Sequence, residues 1–119
     1  MLRYHHFTRI KGWTSGYGSS DDADDFAVLR AYSPLHNLED GRCYPPVLTV
    51  VVGEDTSTQP MHGDKFTAAL QAAQGCGRPV MLKTIPGVGH YSYGADLGLV
   101  PRARRAVIAF LAEAEASPF

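Results

Sequence analysis

The run Pro46-Val47-Leu48-Thr49-Val50-Val51-Val52, with the loop Gly53-Glu54-Asp55-Thr56-Ser57-Thr58-Gln59-Pro60 after it, decides how the chain is read. The run is β-branched and almost continuously apolar, so it predicts a strand near 46–53 covered on both faces. Downstream, Phe66, Ala69, Leu70 and Ala73 recur at helical spacing and predict an amphipathic helix near 61–74, terminated by Gly75 and Gly77. Val80-Met81-Leu82-Lys83-Thr84-Ile85 predicts a second strand near 79–85, followed by a loop through Gly89-His90. Pro101 then opens a helix near 101–115, with Val107, Phe110 and Leu111 on its apolar face. A strand–helix–strand order implies a parallel pair joined by a crossover, which makes the fold class α/β.

Upstream the character changes. Residues 1–45 are polar, aromatic and rich in turn formers, whereas 46–116 alternate strand and helix. Gly12, Gly16, Gly18, Ser15, Ser19 and Ser20 mark a loop. Ser20 reads as an N-cap with Asp21 and Asp22 in the first turn. Phe26, Leu29 and Tyr32 then carry a short helix near 22–32, closed by Ser33-Pro34.

Composition narrows the function classes. The chain has 119 residues, 45% of them hydrophobic, and a formal net charge of −1. That suits one small domain and leaves no basic footprint for nucleic acid. No apolar run approaches the roughly 20 residues of a membrane span, and the N-terminus lacks the apolar centre of a secretory signal. A cytoplasmic location is therefore expected. The two cysteines, Cys43 and Cys76, are too few for a disulfide framework and read as free thiols in a reducing compartment. The five histidines include the neighbours His5-His6, which lack the i, i+4 spacing of two ligands on one helix face. No metal and no cofactor is expected.

Asp55 and His90 each fall just past the end of a strand, at the edge of a parallel sheet where ligands bind. In α/β-hydrolases the catalytic partners follow in the order Ser, then Asp or Glu, then His. The carboxylate fixes the tautomer of the imidazole, which takes the serine proton. Asp55 and His90 fit the last two positions; a capping Asp and a surface His are the competing reading of the same two residues. The serine elbow Gly-x-Ser-x-Gly occurs nowhere in the chain. Ser15, Ser19, Ser20, Ser57 and Ser92 do not sit on a strand-to-helix elbow.

Several local patterns add to this. They are Tyr32-Ser33-Pro34-Leu35-His36-Asn37, Tyr44-Pro45-Pro46 before the strand, Asp55 with Pro60-Met61-His62, and Gly89-His90. With Met1-Leu2-Arg3-Tyr4-His5-His6-Phe7-Thr8 and Trp13-Thr14-Ser15-Gly16-Tyr17-Gly18, the chain resembles the prolyl oligopeptidase family from its first residue to about 115. The resemblance implies that residues 1–119 are the C-terminal part of an α/β-hydrolase catalytic domain, with the pocket aromatics in 1–45 and the triad Asp and His in 46–116. It implies a serine peptidase that cleaves after proline, with Asp55 and His90 catalytic and the serine upstream of Met1. Trp13 would stack on the substrate proline and Tyr17 would line the same pocket. The family has an arginine two residues after the triad Asp, where this chain has Ser57, and a glycine after the triad His, where it has Tyr91. The expected partners are a proline-containing peptide and a missing N-terminal half, or a second copy. Two strands alone would leave an apolar edge and two half-covered faces, so the chain by itself is expected to be marginally stable, and without the serine elbow it is expected to be inactive.

Overall fold

The computed structural model describes residues 2–7, 11–90 and 99–116. Among the described residues, three short 3-10 helices, Tyr4–His6, Lys11–Trp13 and Pro34–His36, accompany four α-helices and two strands. The α-helices are α1 (Thr14–Tyr17), α2 (Ala23–Ala31), α3 (Met61–Ala73) and α4 (Leu99–Ala116); the strands are β1 (Val47–Val52) and β2 (Val80–Ile85). β1 and β2 pair in parallel, in register from Val47 opposite Val80 to Val52 opposite Ile85. The expected elements are all present, and α4 begins two residues before Pro101.

Side chains alternate across β1, which gives its two faces different tasks. Thr49 and Val51 meet α3. A Cβ on Gly63 would stand 2.4 Å from Val51 Cγ1 and 3.2 Å from Thr49 Cγ2, so only a glycine lets the helix lie this close. The Thr67 hydroxyl bonds the Thr49 hydroxyl at 2.8 Å and donates to the Gly63 carbonyl at 2.8 Å. On the opposite face, Val50 and Val52 join Ile85, Val88 and Ala103 of α4 in one apolar cluster. The sheet therefore has a helix on each face.

Several local expectations are corrected. The N-cap of α2 is Asp22, not Ser20: its carboxylate accepts from the amides of Asp24 and Asp25 at 2.9 and 3.0 Å. The inward residues of α3 are Thr67, Leu70 and Ala73, while Phe66 is only half-buried. Its C-cap is Gln74 in an extended conformation, not a left-handed glycine. On α4 the half-buried positions are Ala103, Ala106, Phe110 and Ala114. Val107, Ile108 and Leu111 point outward instead, with Ile108 66% exposed. β1 is half-buried rather than fully covered, and Met81 and Leu82 of β2 are exposed. The half-covered faces expected of two strands are thus present. The Cα radius of gyration is 16.2 Å and the thinnest dimension 18 Å. A close-packed domain of this length would have a radius of about 13–14 Å.

The free-thiol reading is overturned: Cys43 and Cys76 form a disulfide across 33 residues of sequence. The segment before β1 runs beside the segment after α3. Gly41 N donates to Ala73 O at 2.9 Å, Gly75 N to Arg42 O at 2.8 Å, and Arg42 and Gln74 form a parallel bridge. The Gln74 side chain accepts from Tyr44 N at 2.8 Å. A Cβ on Gly75 would fall 1.8 Å from the Gly41 carbonyl oxygen, so Gly75 permits the approach that brings the sulfurs together. The thiol argument for a reducing compartment falls with it. Among the described residues no helix is long and apolar enough to cross a membrane.

Candidate active site

The loops after β1 and β2 are stitched to each other by backbone. Gly53 N donates to Ile85 O at 2.8 Å and Glu54 N to Val88 O at 3.0 Å. Pro86-Gly87 makes the turn between them, with Gly87 at φ +75°, a conformation glycine adopts without steric cost. At Gly89 a Cβ would stand 3.2 Å from the Glu54 carbonyl oxygen, so the small residue before His90 keeps the two loops close. Val88 is buried against Val52 and Ile85 and anchors the second loop to the sheet.

This framework brings Asp55 and His90 together. His90 Nδ1 donates to Asp55 Oδ2 at 2.8 Å. Asp55 Oδ1 accepts from the amides of Ser57 and Thr58 at 2.8 and 2.7 Å. The Asp55 side chain is only 10% exposed, His90 39%. Burial alone would raise the Asp55 pKa, but the hydrogen bonds from His90 and from the Thr58 and Ser57 amides outweigh it and hold the carboxyl below its ordinary value. An ionised carboxylate only accepts, so Nδ1 carries the ring proton and the basic lone pair of a neutral His90 lies on Nε2.

The sign of the Asp55 shift fixes a pH dependence. A carboxyl whose folded pKa is lowered adds stability that is complete above the ordinary value and lost as the pH falls through the folded one. Acid titration of the melting temperature is therefore expected to show a loss below about pH 4. Asp55→Asn flattens that part of the curve.

Trp13 and Tyr17 lie together. Their ring centroids are 5.7 Å apart at 50°, and both rings are exposed. They line a pocket of about 850 Å³ with Ser57, Met61, His62 and Phe66. Asp55 and His90 are not among its lining residues, but Ser57 and Thr58 belong both to its wall and to the Asp55 carboxylate cradle. Ser57 is buried and spends its amide on Asp55. Sequence reading missed Met61 and His62 as pocket residues, because they open a helix. It also missed the Ser57 and Thr58 amides, although an Asp followed at two and three residues by Ser and Thr is a recognisable Asx-turn signal. Tyr91 and the rest of its loop lie outside the described residues.

The shared patterns also have structural tasks. Ser33 is fully buried and its hydroxyl bonds His36 Nδ1 at 2.8 Å. Asn37 donates to the carbonyls of Arg30, Ala31 and Ser33, closing the C-terminus of α2.

The chain is similar to known proteins over most of its length. The model of the prolyl oligopeptidase family matches residues 1–116. The prolyl endopeptidase of Elizabethkingia miricola is 41% identical over 91 residues, which is 76% of this chain and 13% of that protein. A structure solved in a mechanistic study of two prolyl endopeptidases superposes with TM-score 0.72 and 36% identity, over 76% of this chain and 13% of that one. Prolyl oligopeptidase B from Galerina marginata, bound to a 35mer hydrolysis and macrocyclisation substrate, gives TM-score 0.66 and 32% identity over 71% of this chain and 12% of its own. The matched part of the chain thus spans only about an eighth of the length of these relatives. The expected α/β class holds, and its parallel strands match part of the hydrolase domain of these enzymes. The chain belongs to the prolyl oligopeptidase family.

Proposed function

We propose that this chain supplies the acid and base of a serine peptidase that hydrolyses peptide bonds after proline. The observation that carries the proposal is the 2.8 Å bond from His90 Nδ1 to an Asp55 carboxylate already held by two backbone amides. In the reaction, His90 Nε2 takes the proton of a serine hydroxyl as that oxygen attacks the scissile carbonyl carbon. The imidazolium, stabilised by Asp55, then gives the proton to the departing amine as the C–N bond breaks. Water, deprotonated by the same imidazole, hydrolyses the acyl-enzyme and restores the serine.

The serine is supplied by polypeptide outside these 119 residues, since the chain has no Gly-x-Ser-x-Gly elbow. The chain alone is accordingly inactive. The exposed Met81, Leu82, Ile108 and Leu111 support association with the polypeptide that completes the sheet. A purely non-catalytic, complementing role would use the same faces but would not require Asp55 and His90 to be paired. The flat face of Trp13 suits a pyrrolidine ring, and Tyr17 and Phe66 close the pocket around it.

The test joins the chain to the remaining part of a prolyl endopeptidase relative and compares a proline amide with a matched alanine amide. Preferential cleavage of the proline amide is expected, with Trp13→Ala raising its KM about tenfold, roughly 1.4 kcal/mol of binding. Equal cleavage of both amides, or no change on Trp13→Ala, would sink the proline assignment.

A further inference from the structure

His5 and His6 are neighbours in the 3-10 helix Tyr4–His6, and their rings lie 4.0 Å apart. Both Nε2 atoms converge on one carboxylate that is distant in sequence. His5 Nε2 is 3.1 Å from Asp21 Oδ2, and His6 Nε2 is 3.3 Å from Asp21 Oδ1. The ligating atoms of all three residues lie within 4.8 Å of one another. A tetrahedral zinc ion with bonds of about 2.0–2.1 Å spaces its ligand atoms roughly 3.3 Å apart, so small side-chain shifts accommodate one at the centre of the three. The Ser19 hydroxyl, 3.3 Å from His5 Nε2, borders the fourth direction.

The burial pattern sets this cluster apart from a solvated ion pair. His5 is 8% exposed, and its Nδ1 is buried with no hydrogen-bond partner among the described residues. When Nδ1 carries the ring proton, the Nε2 lone pair faces the Asp21 carboxylate and can ligate an ion held there. Asp21 and His6 remain open to solvent, which gives an ion an entry path.

We infer that His5, His6 and Asp21 form a structural site for a divalent transition-metal ion, zinc by its ligand chemistry. Two imidazoles and one carboxylate suit zinc, whereas calcium and magnesium take oxygen ligands. The expectation of no metal rested on the sequence spacing of His5-His6, and it did not foresee Asp21 closing the set. The site would tie residues 4–6 to the loop before α2. Tyr4 between them donates its hydroxyl to Gly18 O at 2.8 Å and packs edge-on to Tyr17, with centroids 6.5 Å apart. The ion would therefore brace the wall of the pocket that carries Tyr17 and Trp13.

The test titrates zinc into the full 119-residue chain after EDTA treatment, follows heat of binding and melting temperature, and repeats the titration with cobalt. One equivalent is expected to bind saturably, to raise the melting temperature, and with cobalt to give the strong visible absorption of a tetrahedral ion. His6→Ala and Asp21→Asn, both at exposed positions, are each expected to weaken binding at least about tenfold, while His90→Ala leaves it unchanged. No saturable binding, or binding that persists undiminished in both His6→Ala and Asp21→Asn, would overturn the site.

Discussion

Asparagine in place of Asp55 is expected to lower kcat of the reconstituted peptidase by about 10⁴-fold, and His90→Ala at least as far. Asparagine keeps the shape of Asp55 but changes what the imidazole sees. The carboxylate accepts at both oxygens: Oδ1 from the Ser57 and Thr58 amides, Oδ2 from His90. The two amides hold the side-chain oxygen of asparagine at the Oδ1 position, so the NH₂ group faces His90. Two donors then meet unless Nδ1 gives up its proton, and the ring adopts the tautomer with Nε2 protonated. The base is lost without loss of fold. KM is expected to change little, because the pocket around Trp13 and Tyr17 is untouched. A fall in kcat of less than tenfold in Asp55→Asn would mean that the 2.8 Å contact is a structural ion pair.

Reduction of the disulfide produces the second large effect. The bond closes a loop spanning 33 residues, for which the loss of chain entropy in the unfolded state corresponds to about 3–4 kcal/mol. The loop contains β1 and α3, the two elements that carry the Asp55 turn at their junction. Cys43→Ser with Cys76→Ser is therefore expected to cost about 3–4 kcal/mol in denaturant melts, and to abolish the difference between melts with and without dithiothreitol. The bond sits where the chain enters β1 and approaches β2, at the opposite ends of the strands from Asp55 and His90. Reduction should accordingly lower stability more than it changes KM. Equal melting of oxidised and reduced chains would show that the bond does not constrain the fold.

Much of the architecture is legible in the sequence because it is encoded locally. The β-branched run 47–52, the spacing of Leu70 and Ala73, and the Pro86-Gly87 turn are each decided within a few residues. Asp55 and His90 are legible for the same reason: each follows a recognisable strand, and parallel strands bring their C-terminal ends to one edge. What escaped depends on approaches between distant segments. The disulfide arises because the segment before β1 lies against the end of α3, where Gly75 passes the Gly41 carbonyl. The convergence of Asp21 on His5 and His6 has the same origin. The inner face of α4 was misjudged because the helix has apolar residues on two sides. Alanines at 103, 106 and 114 with Phe110 turn toward the sheet, while the larger Val107, Ile108 and Leu111 stay outside. The Ser57 amide supports the Asp55 carboxylate, a contact made by the backbone and not by the serine side chain.

Asp55 and His90 are proposed to act on a serine outside these residues. Labelling with a fluorophosphonate tests it most directly, with the modified residue mapped by mass spectrometry in the reconstituted peptidase and in the 119-residue chain alone. One labelled serine is expected in the added segment, with labelling that collapses in His90→Ala and none in the chain alone. A labelled serine among Ser15, Ser19, Ser20, Ser57 and Ser92, or labelling indifferent to His90→Ala, would contradict it.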